Sequence, residues 1–266
     1  MTPEPIPLRS PSMLECRNCG AGAPVDEHFC PQCSRILGLG RHGDYFSFFG
    51  LPRKLVIDAA DLERRFRELS RKFHPDYFYN ASSSERLASL ERSSYLNDAY
   101  RALKNPVSRV EHLLAIEGLP SATSEDPAAG SGQAKVPPSL LEEVFALNEE
   151  LDEIRELRES GADPDTLRAR LEKARAPIDA RRDEHEQQLQ ELSARWDAQL
   201  APSGVEGLAP SGVEGNQADA PGKRATLDAL RERLLERNYI NNLLATIERE
   251  VASLAGSGQP AAGSHG

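Results

Sequence analysis

The chain has 266 residues, of which 28% are charged, and a formal net charge of −10 at neutral pH. That length allows one or two domains, and the acidity argues against a general nucleic-acid binder. No apolar run approaches the roughly 20 residues needed to cross a bilayer, so no membrane segment is expected. Residues 1–13 read as a disordered start: they are rich in Pro and lack the apolar core of a signal peptide. They are also poor in Arg for a mitochondrial presequence, although Arg9 and Ser10 keep that reading open. The default location is the cytoplasm, or the mitochondrial matrix in a eukaryotic source.

All four cysteines lie in residues 14–40, as Cys16-Arg17-Asn18-Cys19 and Cys30-Pro31-Gln32-Cys33. Two CxxC pairs ten residues apart form two sulfur-bearing turns that can close a tetrahedron around one ion. Four thiolates suit Zn²⁺ in a structural site. Disulfides are disfavoured in a reducing compartment, and a redox pair would leave the second CxxC unexplained. An iron–sulfur cluster is the other four-cysteine alternative. Gly20 follows the first pair, where a tight turn needs a permissive residue. His28 is expected near the ligands or exposed, not as a ligand, because four thiolates suffice.

Residues 44–118 form the next unit, opening on the aromatic cluster Asp44-Tyr45-Phe46-Ser47-Phe48-Phe49-Gly50-Leu51. Asp58 can cap a helix in which Leu62, Phe66, Leu69 and Phe73 share one face. Arg64, Arg67 and Arg71 fall on the opposite, water-facing side. Pro75 ends the helix and pushes His74 out of the helical region, leaving His74, Pro75 and Asp76 at its tip. After a loop over residues 77–83, a second helix carries Leu96, Ala99, Tyr100 and Leu103 at core spacing. Asn105-Pro106 ends it and starts a third, with Arg109, Val110, Leu113 and Leu114, stopped by Gly118 and Pro120.

Residues 119–137 read as a linker of Ala, Ser, Gly and Pro. Residues 138–254 return to helical periodicity. Leu140, Val144, Leu147, Leu151 and Ile154 form a narrow packing seam. Leu141 and Phe145 lie about 100° and 140° away from Leu140, so they form a second apolar row pointing out of the bundle. A second bundle helix starts at Asp163-Pro164 and continues the seam through Leu167, Leu171, Ala174, Ile178, Leu189, Leu192 and Trp196, with Pro177 expected to kink or split it. Arg181 and His185 fall near the seam, the His as a packed residue. Residues from about 201 to 222 are a flexible insert, with an eight-residue tandem copy at residues 200–207 and 208–215. The last helix spans about 225–254, with Leu227, Leu230, Leu234, Leu244, Ile247 and Val251 on the seam and Leu235 and Tyr239 off it. Residues 255–266 read as a disordered tail.

A helical hairpin with His74-Pro75-Asp76 at its tip, Tyr45-Phe46 before it and Asn97-Asp98-Ala99-Tyr100 in its second helix resembles a J-domain. With Leu113-Leu114, the run Leu147-Asn148-Glu149-Glu150-Leu151 and the short helical C-terminal part, the chain resembles HscB, the J-protein co-chaperone family of iron–sulfur cluster assembly. The CxxC pairs are similar to those of the mitochondrial members and some bacterial ones. The resemblance implies an all-α protein: a zinc knuckle, a J-domain hairpin and a C-terminal three-helix bundle. It implies that His74, Pro75 and Asp76, with Arg64, Arg67 and Arg71, engage a DnaK/HscA-class chaperone and stimulate its ATPase. It implies that Leu141, Phe145, Glu149 and Tyr239 bind the IscU-like cluster scaffold. Two departures stand in that surface, Glu142 where members usually have an apolar residue and Ala146 where many have Glu.

Two other functions compete. The chain could serve a different client, with the bundle as a dimerisation or folding unit. Alternatively, the knuckle could bind nucleic acid. The knuckle region has few basic residues, Arg17, Arg35 and Arg41, and little aromatic interleaving beyond Phe29, which disfavours the latter. An enzyme is not expected, since no catalytic constellation can be assembled and four Cys ligands leave a zinc ion no open position. The knuckle is either a staple for the N-terminus or an aid to a homodimer.

Overall fold

The structure, a computed structural model, describes residues 13–24, 27–40, 44–120, 136–200 and 221–256. Expectations placed on residues 1–12, Arg41, 121–135, 201–220 and 257–266 lie outside the described residues. Contacts divide the chain into two compact units, Met1–Pro120 with Ser193–Leu227 and Ser121–Leu192 with Asp228–Gly266. The regular structure of the described residues is almost all helical; a two-stranded ribbon at the knuckle is the only sheet among them.

The first unit begins with that ribbon. Strand β1 (Met13–Glu15) pairs antiparallel with β2 (Gly22–Pro24), Leu14 opposite Ala23. Its small core is Cys16, Ala23, Cys30 and Leu37. The knuckle does not stand apart: it belongs to the same compact unit as the hairpin that follows.

Helix α1 (Tyr45–Phe48) starts at Asp44, whose carboxylate accepts from the Phe46 amide at 2.9 Å. Burial would raise the Asp44 pKa, but His112, Arg53 and that amide outweigh it and hold it below the usual carboxylate value. Helix α2 (Ala59–Phe73) is capped by Asp58, accepting from the Ala60 amide, and buries Leu62, Leu69 and Phe73. Phe66, on the same row, is half-buried and stacks on Tyr100 with ring centroids 4.2 Å apart. Helix α3 (Ser83–Lys104) runs antiparallel to it in the hairpin and starts with a reciprocal capping box between Ser82 and Glu85. Helix α4 (Pro106–Ile116) is capped by Asn105, and Gly118 takes φ +75° just beyond it.

Two further helices, α6 (Pro164–Leu200) and α7 (Pro221–Gly256), each cross the division between the units. The end of α6 therefore corrects the expectation for Trp196. The indole is buried and donates to the Arg53 carbonyl at 2.9 Å, inside the first unit and not on a bundle seam. The neighbouring Asp197 accepts from the amides of Leu55 and Val56 at 2.7 and 2.9 Å. From α4, the buried Arg109 donates to the carbonyls of Leu55 and Leu103. Residues 53–56 are thus clamped from both sides. Pro177 does not split α6, which is continuous through it.

In the second unit a 3₁₀ turn, Pro138–Leu140, leads into α5 (Leu141–Glu159). The core joins Leu140 of the 3₁₀ turn and Val144, Leu147, Leu151 and Ile154 of α5 to Leu167, Leu171 and Ile178 of α6 and to Ile240, Leu244, Ile247 and Leu254 of α7. The first five are the seam read from the sequence. Ile240 and Leu254 are additions. Asp163 accepts from the Thr166 amide at 3.1 Å, as the cap expected before Pro164.

Candidate functional site

The tip of the hairpin is set by one proline. His74 closes α2 with extended backbone (φ −58°, ψ 126°), and Pro75 then opens a 3₁₀ turn, Pro75–Phe78. The expected loop over 77–83 is shorter than read, because this turn takes its start and α3 its end. The His74 Nδ1 accepts from the Asp76 amide at 3.3 Å and lies 3.5 Å from the Asp76 carboxylate. Both side chains remain open, 52% and 86% exposed, so the turn presents an imidazole and a carboxylate to solvent. Tyr77 and Tyr79 beside them are also exposed.

Arg64, Arg67 and Arg71 all lie on the exposed face of α2. They are not equally available. Arg64 bonds Asp61 and Glu68, and Arg67 bonds Glu63, all on the same helix. Exposed pairs at this spacing contribute only about 0.3–0.5 kcal/mol, so a partner's acids can displace them. Among the described residues, Arg71 makes no ion pair.

Behind the tip the chain is tightly held. The Phe73 carbonyl accepts from the hydroxyls of Ser89 and Ser93 at 2.6 and 3.0 Å. Between those serines Arg92 is fully buried. It donates to the carbonyls of Leu37 (2.8 Å), Glu27 and Gly38 (both 3.2 Å), and its Nη1 lies 2.7 Å from His28 Nδ1. Arginine has no acceptor, so His28 Nδ1 must accept; the proton sits on Nε2, which donates to the Phe48 carbonyl at 3.1 Å. Burial pushes the Arg92 pKa down to about 10, which leaves it charged at neutral pH. The guanidinium also lies over the rings of Phe73 and Phe48 at 5.7 and 6.0 Å. The sequence placed His28 near the cysteines or in solvent. It is instead half-buried against Phe48 and Phe73, edge-on at 4.8 and 4.9 Å.

The four cysteine sulfurs converge. All lie within 4.8 Å of one another, with Cys16 to Cys33 and Cys19 to Cys30 at 3.6 Å. A tetrahedron of thiolates about 2.3 Å from a zinc ion has edges of about 3.8 Å, so the donor set fits one such ion. The two turns are built alike: Gly20 donates its amide to the Cys16 carbonyl and Ser34 to the Cys30 carbonyl, both at 2.8 Å, with φ +73° and +57°. The Arg35 amide, aimed at Cys33, lowers that thiol to about 6. The Ala21 amide acts the same way on Cys19, but burial and the other three sulfurs prevail and push it up to about 12. The four sulfurs are placed so that together they could hold one metal ion.

In the second unit, Leu141 is 40% and Phe145 69% exposed on α5, with Glu149 a turn further on also exposed. Tyr239 of α7 differs. It is half-buried and packs against the bundle core, while Leu235, one turn before it, is 41% exposed. Glu142 and Ala146 are both exposed on the α5 surface.

No family model matches the chain. It is 41% identical over 111 residues to the "Co-chaperone protein HscB homolog" of Vibrio vulnificus, both in strain YJ016 and in strain CMCP6. The match covers 42% of this chain and 61% of each relative, so the chain spans less than two thirds of their length. Among solved structures it resembles the human co-chaperone protein HscB, with a TM-score of 0.57 and 24% identity over 89% of this chain and 98% of that one. That likeness shows the fold. The similarity to HscB read from the motifs and the all-α architecture are borne out, and the relatives are named as co-chaperones, not enzymes. No described helix is long and apolar enough to cross a membrane.

Proposed function

We propose that this chain is a co-chaperone of iron–sulfur cluster assembly. It presents an IscU-like scaffold, held on the second unit, to a DnaK/HscA-class chaperone, and it stimulates that chaperone's ATPase through His74, Pro75 and Asp76. The observation that carries the reading is the tip itself: an exposed His-Pro-Asp turn at the end of a hairpin, beside an exposed arginine face whose pairs among the described residues are short-range and displaceable. Charge complementarity over a small contact suits rapid docking to an acidic partner, and the turn adds directed hydrogen bonds. Leu141 and Phe145 support the scaffold role, because large apolar side chains outside a bundle core are typical of recognition surfaces. Zn²⁺ is the ion that best suits Cys16, Cys19, Cys30 and Cys33, in a closed structural site with no catalytic role. The partners are the chaperone and the scaffold, and neither a membrane nor nucleic acid is involved. The compartment is the cytoplasm, or the mitochondrial matrix in a eukaryotic source.

The test is steady-state ATP hydrolysis by the cognate chaperone with this chain and the purified scaffold, added separately and together. Synergy is expected, and His74→Gln should abolish it while scaffold affinity and helical signal stay unchanged. Stimulation without any effect of the scaffold would keep the J-protein role and point to a different client.

A further inference from the structure

The His-Pro-Asp loop is nine residues long, 74 to 82, and both of its anchors touch the knuckle. At its start, the buried Phe73 ring lies edge-on to His28 at 4.9 Å and tilted to Phe29 at 6.1 Å. At its end, Glu85 closes the capping box of α3 with Ser82, and both of its carboxylate oxygens accept from Arg35 Nη1, at 2.9 and 3.0 Å. His28 and Phe29 immediately precede Cys30, and Arg35 follows Cys33 by two residues. The two arms are tied across the second cysteine turn: Cys30 donates to the Arg35 carbonyl at 2.8 Å, and Phe29 bridges Ile36. Arg92 fastens the same turn to α3 through carbonyls on either side of it.

We propose that the metal knuckle is a positioning element for the His-Pro-Asp loop: by holding Phe73 and Glu85, the second cysteine turn makes chaperone stimulation depend on metal occupancy. The inference rests on the co-chaperone reading above. A loop exposed on its outer side can be pre-organised only from behind, and an unordered tip would bind its partner at an added entropic cost. An ion held by all four sulfurs would tie Cys30 and Cys33 of this turn to Cys16 and Cys19 of the first through one centre. Without it, His28, Phe29 and Arg35 hang on a turn whose sulfurs have no common centre. Arg92 would then keep the knuckle nearby but not fix the loop's two ends.

The experiment compares the full chain loaded with Zn²⁺, the chain stripped by a chelator, and a Zn²⁺-loaded Arg35→Ala variant, which retains every cysteine and removes the tie to Glu85. Amide hydrogen exchange over residues 74–82 is read without any chaperone present. Chaperone stimulation is then titrated for half-maximal concentration and maximal rate. Stripping should raise loop exchange tenfold or more, and Arg35→Ala a few-fold, with half-maximal concentration rising in the same order and maximal rate retained. Arg35→Lys should recover part of the loss. The inference falls if loop exchange and half-maximal concentration are unchanged in the stripped chain. Should that chain unfold, unchanged values in Arg35→Ala decide against it equally. Absence of stimulation by the loaded chain overturns the co-chaperone reading itself, and the inference with it.

Discussion

The His-Pro-Asp turn and the Leu141–Phe145 row are both exposed, yet they are constructed in opposite ways. The turn is polar and irregular, and its neighbours behind are bound by a dense set of directional contacts: two serine hydroxyls on the Phe73 carbonyl, a capping box, and the buried Arg92. The row is apolar and regular. It needs only the α5 helix, whose other face is already held by the bundle core. A polar contact depends on angle, so its support must be rigid; an apolar contact depends on area, so its support need only be a helix. Damage should therefore spread from behind the turn, whereas damage to the row should stay local.

Arg92→Ala should sharpen that contrast most. It removes a fully buried side chain whose head serves three carbonyls and His28, leaving a cavity and unsatisfied acceptors. The expected loss is about 3–5 kcal/mol of first-unit stability, measured by denaturant unfolding. Scaffold affinity should be unaffected, and an equal loss there would break the division between the two regions. The double variant Leu141→Ala, Phe145→Ala is the converse. Truncating two exposed anchors should cost about 2–3 kcal/mol of scaffold binding by calorimetry, with thermal stability unchanged. Retained affinity would discard the row as the binding surface.

A smaller effect concerns pH and the second unit. His185 is buried 3.7 Å from Glu236, with Arg233 bonded to that carboxylate. Burial lowers the His185 pKa; Glu236 opposes the shift, and Arg233 and Arg237 add to it. The folded state thus holds the ring neutral at a pH where the unfolded chain, with a pKa of about 6.5, begins to take up a proton. Stability is full above that value and is lost as pH falls through it toward the lower folded one. Urea midpoints of the second unit should decline from pH 7.5 to pH 5, and His185→Phe should flatten that slope. An unaltered slope in the variant would assign the pH dependence to carboxylates instead.

What the sequence makes legible is whatever has a local signature. The CxxC spacing, the caps at Asp58 and Asp163, the helix break at Asn105-Pro106, and the two apolar rows of α5 each depend on residues within a few positions of one another, and each is found where it was read. Arg92 has no such signature. In Glu91-Arg92-Ser93 it looks like a surface charge on a helix, and its partners are backbone carbonyls 54, 55 and 65 residues away, which any side chain could carry. Trp196 failed for a related reason. The helical period continues unbroken along α6, and a period identifies a buried face without saying which unit buries it. His28 was judged by its nearness to Cys30, whereas its ring is turned toward Phe48 and Phe73.

Ser34 is the mildest test of the same contrast, because it lies in the knuckle's second turn yet touches neither of the two surfaces. Its φ of +57° is a left-handed conformation that costs a side-chain-bearing residue about 1–2 kcal/mol. The equivalent place in the first turn belongs to Gly20, at φ +73°. Ser34→Gly relieves that strain but gives the unfolded chain more freedom, which cancels about 0.5–1 kcal/mol of the gain. The net should be a stabilisation of about 0.5 kcal/mol, seen as a higher denaturant midpoint for the Zn²⁺-loaded chain. The hydrogen bond to the Cys30 carbonyl uses only the amide, so zinc affinity should not fall. A loss of stability would mean that the Ser34 side chain has a role in the turn that its backbone angle does not reveal.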